Sequence, residues 1–323
     1  MTLNHFLPAS SSSFVSFAIR SPRGTPSKRI TTPIISLIIS FMIIFNNPGF
    51  YTLFMSSNYK KFLIVASKKD KAGINITTAL SQHKRKYNFY LVEKDILHEE
   101  NLSKRKLASY DFIIFASKHK SEKQRKTLSI HAPGNWADAL YGGKQGKICK
   151  TSALFLKQTF DKLNKNAKDY NLNDYEVTME CTHHGPFIDK PCMFIEIGST
   201  EKEWKDRNAA FAVARTIKEM IEGFKENPYN QVAIAIGGPH YCQSFNKIQL
   251  NSNVAISHVI PNYINPVSGE MIKEALEKTE EEVDFALLDW KGIGKAKDRK
   301  LVKELLDDLY VRYKRTSEVN KEY

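Results

Sequence analysis

The chain alternates short, continuously apolar runs with stretches of helical spacing. Lys61-Phe62-Leu63-Ile64-Val65-Ala66-Ser67 is the first such run, with the pattern of a parallel strand covered on both faces. Residues 70–83 then repeat Ile74, Thr77, Thr78 and Leu80 as the inner side of a helix. Further strands are predicted at 88–92, 111–117, 192–198, 231–236, 254–258 and 285–289, and helices at 153–167, 269–278 and 296–309. A single helix is predicted from 199 to about 225, with Ser199 or Thr200 as its N-cap. Glu176-Val177-Thr178-Met179-Glu180-Cys181-Thr182-His183-His184 reads as an alternating strand that ends in two histidines and is stopped by Gly185-Pro186. Strands alternating with helices, with no internal repeat, predict an α/β fold: a mixed, largely parallel sheet flanked by helices.

Residues 1–54 break this pattern. They contain Arg20, Arg23, Lys28 and Arg29 but no acid, and a twelve-residue apolar run from Ile34 to Phe45 that Asn46-Asn47-Pro48-Gly49 ends short of a membrane span. An organellar transit peptide, a membrane anchor and a start of translation at Met55 all fit. The last is favoured, because the globular pattern begins just after that methionine. The domain organisation expected is an extension over 1–54 and one domain over 55–323, located in the cytoplasm unless the extension directs it to an organelle or a membrane.

Charge narrows the function classes. With 48 Lys and Arg against 35 Asp and Glu the formal charge is +13, and without the extension it is still 44 − 35 = +9. That balance favours a polyanionic partner, nucleic acid before membrane. Four cysteines without a Cys-x-x-Cys spacing give neither a zinc knuckle nor a disulfide framework.

The chemistry is predicted at strand ends. His119, His131, His183, His184, His240 and His258 each fall at or just after the end of an expected strand, and in a parallel sheet those ends share one edge. Such a cluster serves metal ligation or acid–base transfer near neutral pH. Within a strand His183 and His184 would face opposite sides, so both enter one site only if the strand has already ended. Gly237-Gly238 offers backbone N–H groups to an oxyanion, and Glu180 and Glu196, set in apolar strands, are candidates to orient a histidine or bind a metal. The Tyr141–Lys147 loop is rich in glycine and lysine but lacks P-loop spacing.

These segments together resemble one family. Ser117-Lys118-His119, Leu128-Ser129-Ile130-His131-Ala132-Pro133-Gly134-Asn135, Glu180-Cys181-Thr182-His183-His184-Gly185-Pro186, Phe194-Ile195-Glu196-Ile197-Gly198-Ser199-Thr200-Glu201-Lys202-Glu203-Trp204, Gly237-Gly238-Pro239-His240-Tyr241 and Leu288-Asp289-Trp290-Lys291-Gly292 are similar to the archaeal and plant type of D-aminoacyl-tRNA deacylase. Lys118 stands where arginine is expected, Ser129 where threonine is frequent, Pro239 where a third glycine is common and Cys181 where alanine is usual, which removes Cys181 from the candidate nucleophiles.

The resemblance implies hydrolysis of the ester joining a D-amino acid to the terminal adenosine of tRNA. It also implies zinc, one or two ions per chain, a fold related in part to nucleoside phosphorylases and peptidyl-tRNA hydrolases, and a monomer with no obligate protein partner. The expected catalytic groups are His183, His184, His240, Gly237 and Gly238, with Gly185 a further oxyanion donor. Metal would fall to His183, His184, Glu180 and Glu196. Substrate would be held by His119, His131, Asn135, Lys118, Lys144 and Lys147, within lysine-bearing stretches at 118–126 and 144–150. The rivals are a nucleosidase or peptidyl-tRNA hydrolase on the same fold, or a non-catalytic RNA-binding protein, which would need no histidine cluster.

Overall fold

The structure, a computed structural model, describes residues 59–99, 102, 104–227 and 230–319. The proposed boundary at 54/55 and the whole of 1–54 lie outside them. The described chain forms an α/β fold with two sheets. The first has the order β2-β1-β3-β6-β4-β5, from β1 (Phe62–Ser67), β2 (Phe89–Val92), β3 (Phe112–Lys120), β4 (Thr127–His131), β5 (Glu176–Met179) and β6 (Cys192–Ser199). Its neighbours are parallel except β4 and β6, so β4 and β5 run opposite to the other four. The second sheet is wholly parallel, β10-β9-β7-β8, from β7 (Gln231–Gly238), β8 (Val254–Pro261), β9 (Phe285–Leu288) and β10 (Tyr313–Arg315).

Three helices cover one face of the first sheet: α1 (Lys71–Ser81), α3 (Ala153–Asp169) and α5 (Arg207–Gly223). Between α1 and α3 in the chain is the single turn α2 (Lys104–Leu107). Small buried side chains on α5, namely Ala209, Ala210, Ala212 and Ala214, let it pack closely, while Phe112 and Phe155 meet at 4.4 Å between ring centroids. Asp70 caps α1 by accepting from the Gly73 N–H at 3.0 Å. It also accepts from the Ser117 hydroxyl and the Lys118 N–H, which ties the start of α1 to the end of β3.

The helix predicted from 199 to about 225 is two helices, α4 (Glu201–Trp204) and α5. Thr200 is the N-cap of α4, with Glu203 closing a capping box. Asp206 interrupts the run because its carboxylate accepts from the Asn208 and Ala209 N–H groups and restarts the helix, while Asn75 donates to the Trp204 and Asp206 carbonyls left at the break. The sequence pattern also missed β4, α2, α6 (Gln243–Asn251) and β10. α7 (Gly269–Glu277) and α8 (Ala296–Asp308) pack on the second sheet through Ile272, Ala275, Val302 and Leu306. No helix among the described residues is long and apolar enough to cross a membrane.

Candidate active site

The site begins as a change of character along one sheet face. On β1, β3 and β6 the helix-covered face is apolar as far as Ala66, Ala116 and Ile197, whereas the opposite face turns polar within the strands. Along β3 it reads Ile113, Phe115, Ser117, His119; along β6, Cys192, Phe194, Glu196, Gly198; along β4, Thr127, Ser129, His131. The register aligns these in rows: Phe115, Phe194 and His131; then Ser117, Glu196 and Ser129; then His119, Gly198 and Thr127. Two-residue alternation therefore places a buried glutamate in mid-strand between two histidines on neighbouring strands. Gly198 makes room for them: a Cβ there would come within 2.8 Å of the His119 ring.

The other side is built from the loop after β5. That strand ends at Met179, so His183 and His184 lie beyond it, and their rings approach to 4.2 Å instead of pointing apart. His184 sits at φ 46°, a left-handed conformation that an ordinary side chain rarely adopts. The loop is tied to both sheets: the Glu180 N–H donates to the Ile130 carbonyl, the Cys181 N–H to the His240 carbonyl and the Thr182 N–H to the Val259 carbonyl. The Cys181 bond brings the turn after β7, with His240 and Tyr241, against the first sheet, and the Thr182 bond joins the loop to β8.

Glu180 is the hub. Its carboxylate oxygens lie 3.1 Å from His119 Nδ1, 3.5 Å from His183 Nε2 and 3.4 Å from His240 Nε2. Glu196 lies 3.7 Å from His119 Nδ1 and 3.8 Å from His131 Nε2. Both carboxylates are almost fully buried, yet among the described residues neither Glu180 oxygen nor His131 Nε2 has a hydrogen-bond partner. His119 Nε2 is 3.0 Å from the Tyr241 hydroxyl.

Burial opposes charge here and the neighbours decide the outcome. Burial alone would lower His119, but Glu180 and Glu196 raise it to about 12. Burial would likewise lower His240, which Cys181 and Glu180 raise to about 10. Burial would raise Glu180 and Glu196; instead His119 with its neighbouring histidines holds Glu180 well below the ordinary carboxylate value, and His119 and His131 hold Glu196 near 2. His183 and His184 are driven down, first by burial and then by adjacent imidazoles, His184 to about 4.

The donor set fits a zinc ion. His131 Nδ1 faces the Ala132 carbonyl at 3.3 Å, His183 Nδ1 the Cys181 carbonyl at 2.8 Å and His184 Nδ1 the Gly185 carbonyl at 2.7 Å. A carbonyl can only accept, so each Nδ1 carries the proton and each Nε2 keeps a lone pair. This is how ligating imidazoles are held. One ligand atom from each of His131, His183 and His184 falls within 4.8 Å of the others, and so does one from each of His131, Glu180 and Glu196. Orphaned carboxylate oxygens beside such nitrogens suit a divalent cation of zinc's preferences.

Five of the six strand-end histidines converge, but not on a common parallel edge. The reversal of β4 and β5 brings opposite strand ends onto one face. His258 is the exception, because β8 runs on to Pro261 and leaves it fully buried in mid-strand, bonded to the Thr182 hydroxyl and the Lys278 carbonyl.

Several expected contacts are placed elsewhere. Gly237 and Gly238 lie inside β7, where the space of a Cβ is filled by Ile293 and the Asp289 carbonyl in one case and by Phe245 in the other. The Gly185 N–H donates to the Tyr141 carbonyl. Asn135 donates its side-chain amide to the Gly142 carbonyl and so holds the Tyr141–Lys147 loop against the histidine turn. Lys118 pairs with Asp95 at 3.7 Å, Lys147 with Glu274 at 2.9 Å, and the Lys144 ammonium lies over the Phe187 ring. Sequence reasoning passed over Tyr241, although the aromatic directly after His240 was visible, and it set aside Cys181, whose sulfur lies 3.0 Å from the Tyr263 hydroxyl and 3.6 Å from His240 Nδ1.

The family model for D-aminoacyl-tRNA deacylase matches residues 107–314, a span containing every histidine and glutamate of the cluster. The D-aminoacyl-tRNA deacylase of Pyrococcus furiosus is 33% identical over 276 residues, 76% of this chain and 97% of the relative. That of Thermococcus onnurineus is 38% identical over 202 residues, 62% of this chain and 71% of the relative. That of Methanocaldococcus jannaschii is 33% identical over 240 residues, 72% and 91% of the two chains. Among solved structures, that of a conserved protein of unknown function, AF0625, superposes with a TM-score of 0.72 at 28% identity, covering 82% of this chain and 98% of that one.

Proposed function

The chain belongs to the D-aminoacyl-tRNA deacylase family, and from that premise we infer that the histidine–glutamate cluster hydrolyses the ester bond of D-aminoacyl-tRNA, releasing the D-amino acid and a reusable tRNA. The observation that carries this assignment of the site is the orphaned Glu180 carboxylate, set among three imidazoles at the junction of two sheets.

His131, His183 and His184 would hold a zinc ion, with Glu196 and Glu180 as the carboxylates beside it. When bound, zinc supplies Lewis acidity that polarises an ester carbonyl and makes water a better nucleophile. The chain's own residues do the rest. His183 and His240 are the least buried members, with side chains 22% and 33% exposed, and they form the side from which the ester enters. Water oxygen adds to the carbonyl carbon and its proton passes to Glu180. The ester C–O bond then breaks, and the departing ribose oxygen takes a proton from His240. Glu180 returns its proton to His240, 3.4 Å away, and the starting state is restored. His119, held between the two carboxylates and the Tyr241 hydroxyl, offsets their charge and keeps Glu180 in place. The protein acts as a monomer without a protein partner.

Release of tyrosine from D-tyrosyl-tRNA and L-tyrosyl-tRNA, with and without a chelator, tests this reading. D-selective release, abolished by chelation and restored by zinc, is the expected result. Equal release from both esters refutes the D-specific function, and release indifferent to chelation refutes the zinc assignment.

A further inference from the structure

Beside the cluster, on the side where His240 is exposed, lies a cleft of about 440 Å³. One wall is the loop joining β3 to β4, and the other is the turn after β7. His119, His240 and Tyr241 form its inner end, and Lys120, Lys123 and Arg125 its basic rim, against the single acid Glu122.

The basic run from 118 to 126 divides into cations already engaged and cations that are not. Lys118 pairs with Asp95, Arg125 with Glu176, and Lys126 with Asp174. Arg125 also stands over the Tyr241 ring, 5.8 Å from its centroid, so it braces the wall of the cleft. Lys120 and Lys123 are exposed and have no ion-pair partner among the described residues, and both line this cleft. Unpaired cations beside a catalytic cluster, in a cavity large enough for a small ligand, fit a mobile anion with a reactive group attached.

The geometry points to this cleft as the subsite for the 3′-terminal nucleotide of the tRNA, with its 5′-phosphodiester held by Lys120 and Lys123 and its ribose at His240. The inference rests on the deacylase reading of the site. It gives a positional role to two of the many lysines, while Lys118, Lys144 and Lys147 are engaged within the protein.

The test compares 3′-O-D-tyrosyl esters of adenosine and of adenosine 5′-monophosphate, which differ only in the phosphate. The native protein is expected to favour the phosphorylated ester about tenfold in kcat/KM, the product of two exposed charge contacts each contributing a few-fold. In Lys120→Glu/Lys123→Glu that ratio falls to one or below. The dependence of log kcat/KM for the tRNA substrate on log salt should become shallower by about one, since both lysines hold the same phosphodiester. A ratio unchanged in the variant overturns the subsite, and Lys120→Met/Lys123→Met serves the same comparison if charge reversal impairs folding. If the native protein releases nothing from either ester, the deacylase reading fails separately. Calorimetry with adenosine 5′-monophosphate and adenosine alone then decides the subsite: tighter binding of the phosphate that requires both lysines supports it, and equal binding overturns it.

Discussion

Adding one methyl group at Gly198 tests whether the face of the first sheet is the platform for His119. The Cβ of Gly198→Ala would stand 2.4 Å from Thr127 Oγ1, 2.8 Å from His119 Cδ2 and 2.9 Å from His119 Cβ, all inside van der Waals contact. The backbone at Gly198 is not in the left-handed region, so the cost is steric. Overpacking of this kind costs about 1–3 kcal/mol. Its second effect is on geometry. Clearing the contact moves the His119 ring by several tenths of an ångström, away from a Glu180 oxygen now 3.1 Å distant, and a misplacement approaching 1 Å costs about 100-fold in rate. Urea unfolding and single-turnover deacylation measure the two effects. Thr127→Ala separates them, because the Thr127 hydroxyl has no hydrogen-bond partner among the described residues and its removal relieves the closest contact. The double variant should regain stability over Gly198→Ala while staying slow, since both His119 contacts persist. Gly198→Ala with native stability and kcat within twofold of native would refute the reasoning. So would complete rescue of the rate by Thr127→Ala, because Thr127 rather than His119 would then have absorbed the methyl group.

His183→Ala should lower kcat by at least 100-fold with little change in tRNA affinity, and should reduce the zinc bound per chain; an equal loss of rate and affinity would remove His183 from the chemistry. Burial lowers His258 from 6.5 to about 4. Between those values the unfolded chain binds the extra proton, so this residue's contribution is complete above pH 6.5 and falls by up to about 3 kcal/mol as pH drops toward 4. Urea midpoints at several pH values should therefore show a shallower acid decline in His258→Asn, and identical slopes would contradict the assignment. Asp70→Ala removes a helix cap and leaves the Lys118 N–H without its acceptor; a loss of about 1–3 kcal/mol is expected by urea unfolding, with Asp70→Asn recovering part of it.

Much of this was legible along the chain because it depends on neighbours in sequence. Continuous apolar runs marked the buried strands, and the spacing of Leu154, Phe155, Phe160 and Leu163 marked α3. The strand expected to run from Glu176 to His184 stops at Met179, which meets the condition that both His183 and His184 lie beyond a strand end. The motifs were specific enough to identify the family. The break at Asp206 was missed because a carboxylate inside a helical pattern is ordinary until its side chain caps the N–H groups two and three residues on. His258 was misplaced because Val259, Ile260 and Pro261 continue the strand through pairing with β7, which no local pattern announces.

The amino-acid order by itself determined which residue types stand at strand ends, and therefore that histidines and glutamates were available for ester hydrolysis. Only the tertiary structure decided which of them meet. The antiparallel seam between β4 and β6 puts Glu196 opposite Ser129 and one register step from both His119 and His131, and the bonds from Cys181 to His240 and from Thr182 to Val259 bring the second sheet's histidine to Glu180. It likewise separated the paired lysines from Lys120 and Lys123. Strand direction and ion pairing are set by contacts between residues dozens of positions apart, and their free energy exists only once the chain has packed.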